Sequence, residues 1–386
     1  MKVKTNREMS NQIRARDIGI PLKGTPGTWN SITDVPGVEV GHRTLIEDSD
    51  EQSMNKKSVR TGVTVVLPRG KNISGNLEQQ QVFGAWYSLN GNGEMTGTTW
   101  LEESGLLGPI IAITNTHSVG TIRDAAIQWI LQQSNQSSLS DDVYCSLSLP
   151  VVAETWDGLL NDINGFHVRP EHLFDAIKTA SSTRVDEGNV GGGTGMVTHK
   201  FKGGIGTSSR QHNKYTVGVL VQSNYGKRNQ LTIAGIPVGE EMLDEFLPIS
   251  EQEKSKLKEQ GSIIVVVATD APFLPHQLKR LVRRVPIGIG LVGGRGGDSS
   301  GDIFIAFSTA NQQIMGRQTD VLHLDMLPNE TMDPFFEAVT QATEEAILNA
   351  MIAAETMEGN HGHKVYAISH ERIREILKKY NRLKNN

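Results

Sequence analysis

The chain has 386 residues, and its 37% hydrophobic and 21% charged content lies within the range of a soluble globular protein. The formal net charge of −5, without an evident basic face, argues against a nucleic-acid partner. The single cysteine, Cys145, excludes a disulfide within the chain, and we interpret it as a small buried apolar residue. No apolar run of about 18 residues predicts a membrane-spanning helix, and an N-terminus without a signal-peptide core predicts a cytoplasmic protein.

Strand-like and helical patterns follow one another without a strict β-α-β order. In chain order, we predict a hairpin over 31–46, a strand over 62–67, a helix over 78–89, a strand over 109–113, a helix over 120–133, a strand over 149–154, a helix over 170–180, strands over 215–222 and 263–268, a helix over 275–285, a strand over 303–307, and helices over 334–357 and 371–379. Asp333 is the predicted N-cap of the long helix. This mixture favours an α+β fold with helices layered outside sheets.

The most informative position is the dipeptide Gly261-Ser262. Residues 251–260 before it carry six charges, whereas residues 263–268 after it are apolar and rich in β-branched side chains, as in a buried strand. If the chain is cut between the two residues, Ser262 becomes an N-terminus with a hydroxyl and an amine. N-terminal nucleophile hydrolases use that pairing to activate a weak nucleophile. A Gly-Ser pair before a strand is also a common turn, and the residues alone leave both interpretations open.

Two glycine motifs match known fingerprints by letter but not by context. The sequence GIGLVG at 288–293 has the spacing of a dinucleotide-binding loop, yet a basic helix precedes it where a strand is required. The sequence GDSSG at 297–301 has the spacing of a nucleophile elbow, yet a strand follows it where a helix is required. We therefore expect neither a nucleotide cofactor nor an α/β-hydrolase nucleophile here.

Three polar residues lie at the ends of predicted strands. Ser300 and Asp302 are two apart at the start of a strand, so their side chains point to the same side and could relay a proton or orient a nucleophile. Asn224 ends a strand, where a side-chain amide can donate a hydrogen bond to an oxyanion. A turn with polar caps is the alternative for each.

No motif for a metal site or a Ser-His-Asp triad is present. The sequence has no HExxH motif, no cysteine pair and no carboxylate–histidine cluster, and His117, His167 and His276 are scattered. We expect no metal and no cofactor.

Five segments in the same order resemble one protein family. They are 32–38 (ITDVPGV), 189–196 (NVGGGTGM), 217–224 (VGVLVQSN), 261–277 (GSIIVVVATDAPFLPHQ) and 300–304 (SGDIF). Together they resemble the DmpA/BapA family of L-aminopeptidase/D-esterases and β-peptidyl aminopeptidases, also called the P1 or S58 peptidases. The resemblance covers about residues 16–375, and the match over 261–277 is its strongest part.

The resemblance implies a fold, a maturation step and a substrate class. The expected fold is a four-layer αββα sandwich, like that of the N-terminal nucleophile (Ntn) hydrolases in architecture but different in connectivity. Residues 1–386 would form a single catalytic domain that cleaves itself into subunits 1–261 and 262–386, which stay associated and assemble into a homo-oligomer. The substrate would be a short peptide or an amino-acid amide or ester.

The resemblance also assigns roles to residues. Ser262 falls on the nucleophile, Asn224 on the oxyanion asparagine, and Ser300 and Asp302 on the family's Ser-Gly-acid positions, where some members have glutamate in place of Asp302. The base that activates the serine is either its own α-amine or the Ser300–Asp302 pair.

Two further residues are candidates for substrate binding. We expect a carboxylate to bind the substrate ammonium, and Glu154 is the candidate. Trp156 stands where the family pattern has an active-site tyrosine; because an indole has only an N–H donor, we expect substrate contact rather than the role of a phenol. The alternatives to an aminopeptidase are an unprocessed binding or structural homologue and an amino-acid acyltransferase.

Overall fold

Fourteen β-strands are present in the described part of the chain. The computed structural model describes residues 12–48, 57–72, 80–133, 149–248, 261–312 and 321–384, so Cys145 and the charged stretch 251–260 lie outside the described residues. The strands are β1 (Glu39–Glu47), β2 (Val59–Leu67), β3 (Val82–Gly91), β4 (Leu106–Leu107), β5 (Ile111–Asn115), β6 (Val151–Thr155), β7 (Val197–Thr198), β8 (Phe201–Lys202), β9 (Gly204–His212), β10 (Tyr215–Asn224), β11 (Ser262–Thr269), β12 (Gly301–Ser308), β13 (Met357–Glu358) and β14 (Lys364–Val365).

The described helices, except the first, pack on the outer faces of these strands. They are α1 (Thr98–Ser104), α2 (Val119–Gln133), α3 (Pro170–Thr179), α4 (Val238–Glu241), α5 (Pro275–Val282), α6 (Val285–Leu291), α7 (Asp333–Ile352) and α8 (His370–Lys379). Several begin with proline at the first or second position, where the missing N–H would have had no helical partner. Within the described residues no helix is both long and apolar enough to cross a membrane.

Two sheets form the centre of the fold. One sheet has four strands in the order β1-β2-β5-β6, and the other has six in the order β4-β3-β12-β11-β10-β9. In the six-stranded sheet, β11 pairs parallel to β12 and antiparallel to β10. Every residue of β11 is buried, as expected for a central strand rich in valine and isoleucine.

Three apolar clusters separate four layers. The side chains of β11 alternate, because Val265 and Val267 pack toward helices α5 to α8, whereas Ile264 and Val266 pack toward the four-stranded sheet. A third cluster joins the outer face of the four-stranded sheet to α2 and α3. The layers are therefore helix, sheet, sheet and helix, and the predicted α+β sandwich of αββα type is confirmed.

Some predictions of local structure are wrong. The helix predicted over 78–89 is wrong, because Val82–Gly91 is a strand that pairs with β12; residues 78 and 79 lie outside the described residues. The hairpin over 31–46 keeps only its second strand; Ile32–Asp34 is a 3₁₀ turn in which the Ser31 and Asp34 side chains cap each other's backbone N–H groups.

Helix boundaries also differ from the prediction. The helix over 275–285 ends at Val282, and a second short helix starts at Val285 with Pro286 in its first turn. The long helix ends at Ile352 instead of 357, and Asp333 is its first residue rather than its N-cap. The remaining predicted strands and helices are confirmed to within a few residues.

Candidate active site

Three strand ends bring the predicted site residues together. Ser262 is the first residue of β11 and faces Asn224, the last residue of β10, in the antiparallel ladder. On its other side it pairs with Gly301, the first residue of β12, which lies between Ser300 and Asp302. The register of one sheet thus places residues that are about forty positions apart side by side.

The Ser262 hydroxyl is buried and bound by a backbone donor. Its Oγ accepts a hydrogen bond from the Gly301 N–H at 3.1 Å, and the residue is 6% exposed. A Cβ at Gly301 would lie 2.5 Å from the Asn92 carbonyl oxygen, so only glycine allows this close approach. A hydroxyl oxygen that accepts from an N–H is better able to carry negative charge, which is what a nucleophile needs.

Gly261 is held just as closely. A Cβ on it would lie 2.8 Å from the Asn224 carbonyl oxygen and 2.8 Å from Tyr225 Cα. A larger residue would therefore displace the backbone at the end of β10. This packing fixes the Gly261–Ser262 peptide bond beside Asn224.

Ser300 and Asp302 form the hydrogen-bonded pair that their spacing predicts. Ser300 Oγ donates to Asp302 Oδ1 at 2.7 Å, and both residues are 3% exposed. Asn90 Nδ2, at the end of β3, donates to Asp302 Oδ2 at 3.1 Å and to the Gly297 carbonyl at 3.1 Å. The sequence analysis missed Asn90, because a helix was predicted just before it instead of the strand that brings it to β12.

Tyr225 is a second residue that the sequence analysis missed. Its ring is buried, and its hydroxyl has no hydrogen-bond partner among the described residues. Burial, together with the negative charge of Asp302, raises the pKa of the Tyr225 phenol far above its ordinary value, so it stays protonated. Its position directly after Asn224 at a strand end was the only signal in the sequence.

The Asn224 amide has a fixed orientation. Its Oδ1 accepts from the Val197 N–H at 2.8 Å, and its Nδ2 donates to the Trp156 carbonyl at 2.9 Å. An amide nitrogen has two N–H groups, and the second has no acceptor in the part of the chain that the structure describes. It is therefore available to a negatively charged oxygen next to Ser262.

Glu154 is buried close to the nucleophile. It is 3% exposed and accepts from the Glu94 N–H at 3.0 Å and from the Thr116 hydroxyl. Burial raises the pKa of the Glu154 carboxyl against the opposing effect of these two donors. A Cβ on Gly93 would lie 3.2 Å from Glu154 Oε1 and 3.2 Å from Gly301 Cα, so a single glycine separates the carboxyl from the strand end that binds Ser262.

Trp156 lies at the surface of the same region. The residue is 37% exposed, and its indole covers Gly158, where a Cβ would come within 2.5 Å of the ring. Its carbonyl anchors Asn224, so the backbone of Trp156 shapes the site while its ring faces outward. Across the described ranges, no three His, Cys, Asp or Glu side chains are grouped to bind a metal ion.

Comparison with known proteins identifies the family of this arrangement. The model of peptidase family S58 matches residues 30–365. The chain is 49% identical over 381 residues to a β-peptidyl aminopeptidase, BapA, of Sphingosinicella microcystinivorans, and the match covers 96% of this chain and 93% of that protein.

Solved structures agree in fold as well as in sequence. The L-aminopeptidase D-Ala-esterase/amidase of Ochrobactrum anthropi, described as a variant of the Ntn hydrolase fold, superposes with a TM-score of 0.84 at 46% identity, over 96% of this chain and 99% of that one. A Burkholderia β-aminopeptidase superposes with a TM-score of 0.81 at 43% identity, over 95% of this chain and 99% of that one. The chain belongs to peptidase family S58.

Proposed function

We propose that this chain is a self-processing serine aminopeptidase whose nucleophile is Ser262. The observation that carries the proposal is the position of Ser262. It is the first residue of a central buried strand, it follows a glycine that nothing larger can replace, and its Oγ lies between a backbone N–H donor and the Asn224 strand end. Membership of family S58 supports the same conclusion.

The first reaction is cleavage of the chain itself. Ser262 Oγ attacks the Gly261 carbonyl carbon and loses its proton, the C–N bond to Ser262 breaks, and the nitrogen takes up a proton to become a free amine. The resulting ester is hydrolysed by water, which leaves a Gly261 carboxylate and a free Ser262 hydroxyl. The products are subunits 1–261 and 262–386, which stay associated because β11 remains paired with β10 and β12 remains paired with β3.

The base of this first reaction is a group other than the Ser262 amine, because that nitrogen is still part of the peptide bond that breaks. The Ser300–Asp302 pair flanks Gly301, whose N–H binds Ser262 Oγ. We assign the pair as the base of self-cleavage. After cleavage the α-amine, with an ordinary pKa of about 8, becomes the base for turnover.

Later reactions use the same oxygen on an external substrate. Ser262 Oγ attacks the carbonyl of the N-terminal residue of a short peptide, amide or ester, and the leaving amine or alcohol departs as the acyl-enzyme forms. Asn224 Nδ2 and neighbouring backbone N–H groups stabilise the oxyanion. Water then releases the amino acid from Ser262.

Glu154 gives the preference for a free amino group. A substrate ammonium ion next to this buried carboxyl would lower its raised pKa and form an ion pair, at a distance from Ser262 set by the intervening Gly93. Trp156 would contact the substrate side chain at the mouth of the site. The relatives are named for both β-peptide and L-amino-acid substrates, so we expect short chains of either backbone type to enter.

The test is a substrate panel on purified protein, with p-nitroanilides of L-α-amino acids and β-amino acids and the N-acetylated form of the best of them. We expect release of p-nitroaniline from the free amines and none from the N-acetylated control. Equal rates on both forms would contradict an aminopeptidase. An intact chain without hydrolysis would favour a binding or structural homologue instead. Assembly into a homo-oligomer and a cytoplasmic location stay predictions.

A further inference from the structure

Lys202 is a fully buried lysine that the mechanism above does not use. Its relative exposure is 0%, and in the described ranges no carboxylate forms an ion pair with it. Its Nζ instead donates to the carbonyl oxygens of Met196 at 2.8 Å, Gly203 at 2.9 Å and Gly193 at 3.4 Å. Burying an amine costs free energy unless its N–H groups donate hydrogen bonds, and these three carbonyls accept them.

One of these three carbonyls belongs to a peptide group at the active site. The Met196 C=O and the Val197 N–H are two ends of the same planar peptide unit. Lys202 Nζ donates to its oxygen at 2.8 Å, and its N–H donates to Asn224 Oδ1 at 2.8 Å. The Gly203 N–H also donates to the Met196 oxygen, at 2.9 Å. A single rigid peptide therefore connects the buried lysine with the Asn224 amide.

Hydrogen bonds in such a chain strengthen one another. A donor on the carbonyl oxygen polarises the peptide and makes its N–H a stronger donor, and the low dielectric of a buried site increases the effect. The contact at Oδ1 also decides which way the Asn224 amide faces, because it must present oxygen to Val197 and nitrogen to the Trp156 carbonyl.

The local fold keeps the hydrogen-bonded connection between Lys202 and Asn224 short. Val197 and Lys202 are partners in the antiparallel ladder of β7 and β8, and the hairpin is fastened to the end of β10, where the Thr198 hydroxyl donates to the Ser223 carbonyl at 2.8 Å. The His199 N–H donates to the Tyr225 carbonyl at 2.7 Å on the other side of Asn224. The hairpin thus moves together with the strand end that carries the oxyanion donor.

We propose that Lys202 is a positioning residue for catalysis, which acts through the Met196–Val197 peptide to hold the Asn224 amide in the orientation that stabilises the oxyanion. This inference rests on the proposed function, since it requires Asn224 to be an oxyanion donor. It assigns Lys202 no contact with substrate.

The experiment compares Lys202→Met, Asn224→Ala and the double variant, with turnover expressed per processed chain as counted on a denaturing gel. Misplacing a catalytic group by about 1 Å costs about a hundredfold in rate. We therefore expect Lys202→Met to lower kcat roughly ten- to a hundredfold with KM unchanged. The double variant should be no slower than Asn224→Ala alone, because the lysine acts only through the asparagine.

Arg69→Met is the matched control. Arg69 also donates to backbone carbonyls, at 3.0 Å to Thr309, but it lies beyond the far end of β12 from Ser262. It should lower the melting temperature without lowering kcat. If Lys202→Met does not give folded protein, Lys202→Gln decides in the same way, because its amide nitrogen is one bond nearer the backbone than Nζ and falls short of the Met196 oxygen.

The outcomes separate the two proposals. A normal kcat in Lys202→Met or Lys202→Gln, together with a slow Asn224→Ala, would overturn the role of Lys202 and leave the proposed function intact. A double variant slower than Asn224→Ala by the full effect of Lys202→Met would also overturn it. A normal kcat in Asn224→Ala would instead contradict the oxyanion role of Asn224 and with it the role of Lys202, and it would leave Ser262 as the proposed nucleophile.

Discussion

Both ends of the β11–β12 pair carry buried hydroxyl side chains, but the hydrogen bonds of these hydroxyls differ. At the far end, Thr269 and Ser308 donate their hydroxyl protons to the carbonyls of Thr216 and Ala271, at 2.8 Å and 2.6 Å. At the near end, Ser262 Oγ accepts a hydrogen bond from the Gly301 N–H but donates to no acceptor among the described residues. The far-end hydroxyl oxygens also accept from a backbone N–H, those of Ala271 and Ala310, so the structural hydroxyls differ from the proposed nucleophile in that their protons are bound by a carbonyl.

The largest effect is expected from replacing Ser262 itself. Ser262→Ala should abolish both self-cleavage and turnover, because no other oxygen can attack the Gly261 carbonyl. Ser308→Ala, at the far end of the same strand pair, should cost about 1 kcal/mol of stability for its lost hydrogen bond and should still process. A denaturing gel of both variants measures this. A processed Ser262→Ala protein would refute the assignment.

Asp302→Asn tests whether the Ser300–Asp302 pair is the base of self-cleavage and the Ser262 α-amine is the base of turnover. It keeps the size of the side chain and removes its basicity, so self-cleavage should slow by about 10² to 10⁴-fold, the usual contribution of a general base. Turnover per processed chain should fall less, since the α-amine of Ser262 is then available. Time courses of processing and of p-nitroaniline release separate the two rates. Equal losses in both would mean that the pair is also the base of turnover.

Asn224→Ala should slow turnover of processed enzyme by about 10² to 10³-fold, which corresponds to about 2.7–4 kcal/mol for a lost oxyanion donor. The control at the far end is Thr269→Val, which removes a buried hydroxyl but no donor to the reacting oxygen. Steady-state kinetics should show the loss in kcat. A KM effect alone would place Asn224 in substrate binding instead.

A further expected effect concerns stability near the site and leaves the rate unchanged. Burial raises the pKa of the Asp157 carboxyl to about 7 from an ordinary value near 3.8. The folded protein therefore holds this proton more tightly than the unfolded chain does, so its contribution is fully present below pH 3.8 and is lost as the pH rises through about 7.

Asp157→Asn should remove that part of the pH dependence. Its melting temperature should fall less than that of the wild type between pH 4 and pH 7, as thermal unfolding can measure. Ser308→Ala, which removes no titratable group, is the control and should keep the wild-type slope. An unchanged slope in Asp157→Asn would mean that Asp157 is ionised in the folded protein.

The proximity of the candidate residues was predicted better than the local structure around them. Their positions at the ends of apolar strands single out Ser262, Asn224, Ser300 and Asp302, the family resemblance groups them into one predicted site, and the order of strands in one sheet brings those ends together. Asn90 was missed because β3 has aromatic and small residues that fit a helical pattern until pairing with β12 is known.

Other features depend on contacts that a single sequence does not contain. The role of Lys202 became visible only with the distances to three carbonyls, which lie in a glycine-rich loop without a regular pattern. The closeness of Tyr225 to Asp302 likewise arises from two strands that are far apart along the chain. Tertiary packing determines the contacts of Lys202 and the proximity of Tyr225 to Asp302, and local secondary-structure propensity does not predict either.

The central claim is that Ser262 becomes an N-terminus, and the mass and N-terminal sequence of the purified wild-type protein test it most directly. The account predicts two chains, one ending at Gly261 and one that begins with Ser262 followed by Ile263 and Ile264. A single intact chain in an otherwise active enzyme, or a second chain that begins at any other residue, would contradict it.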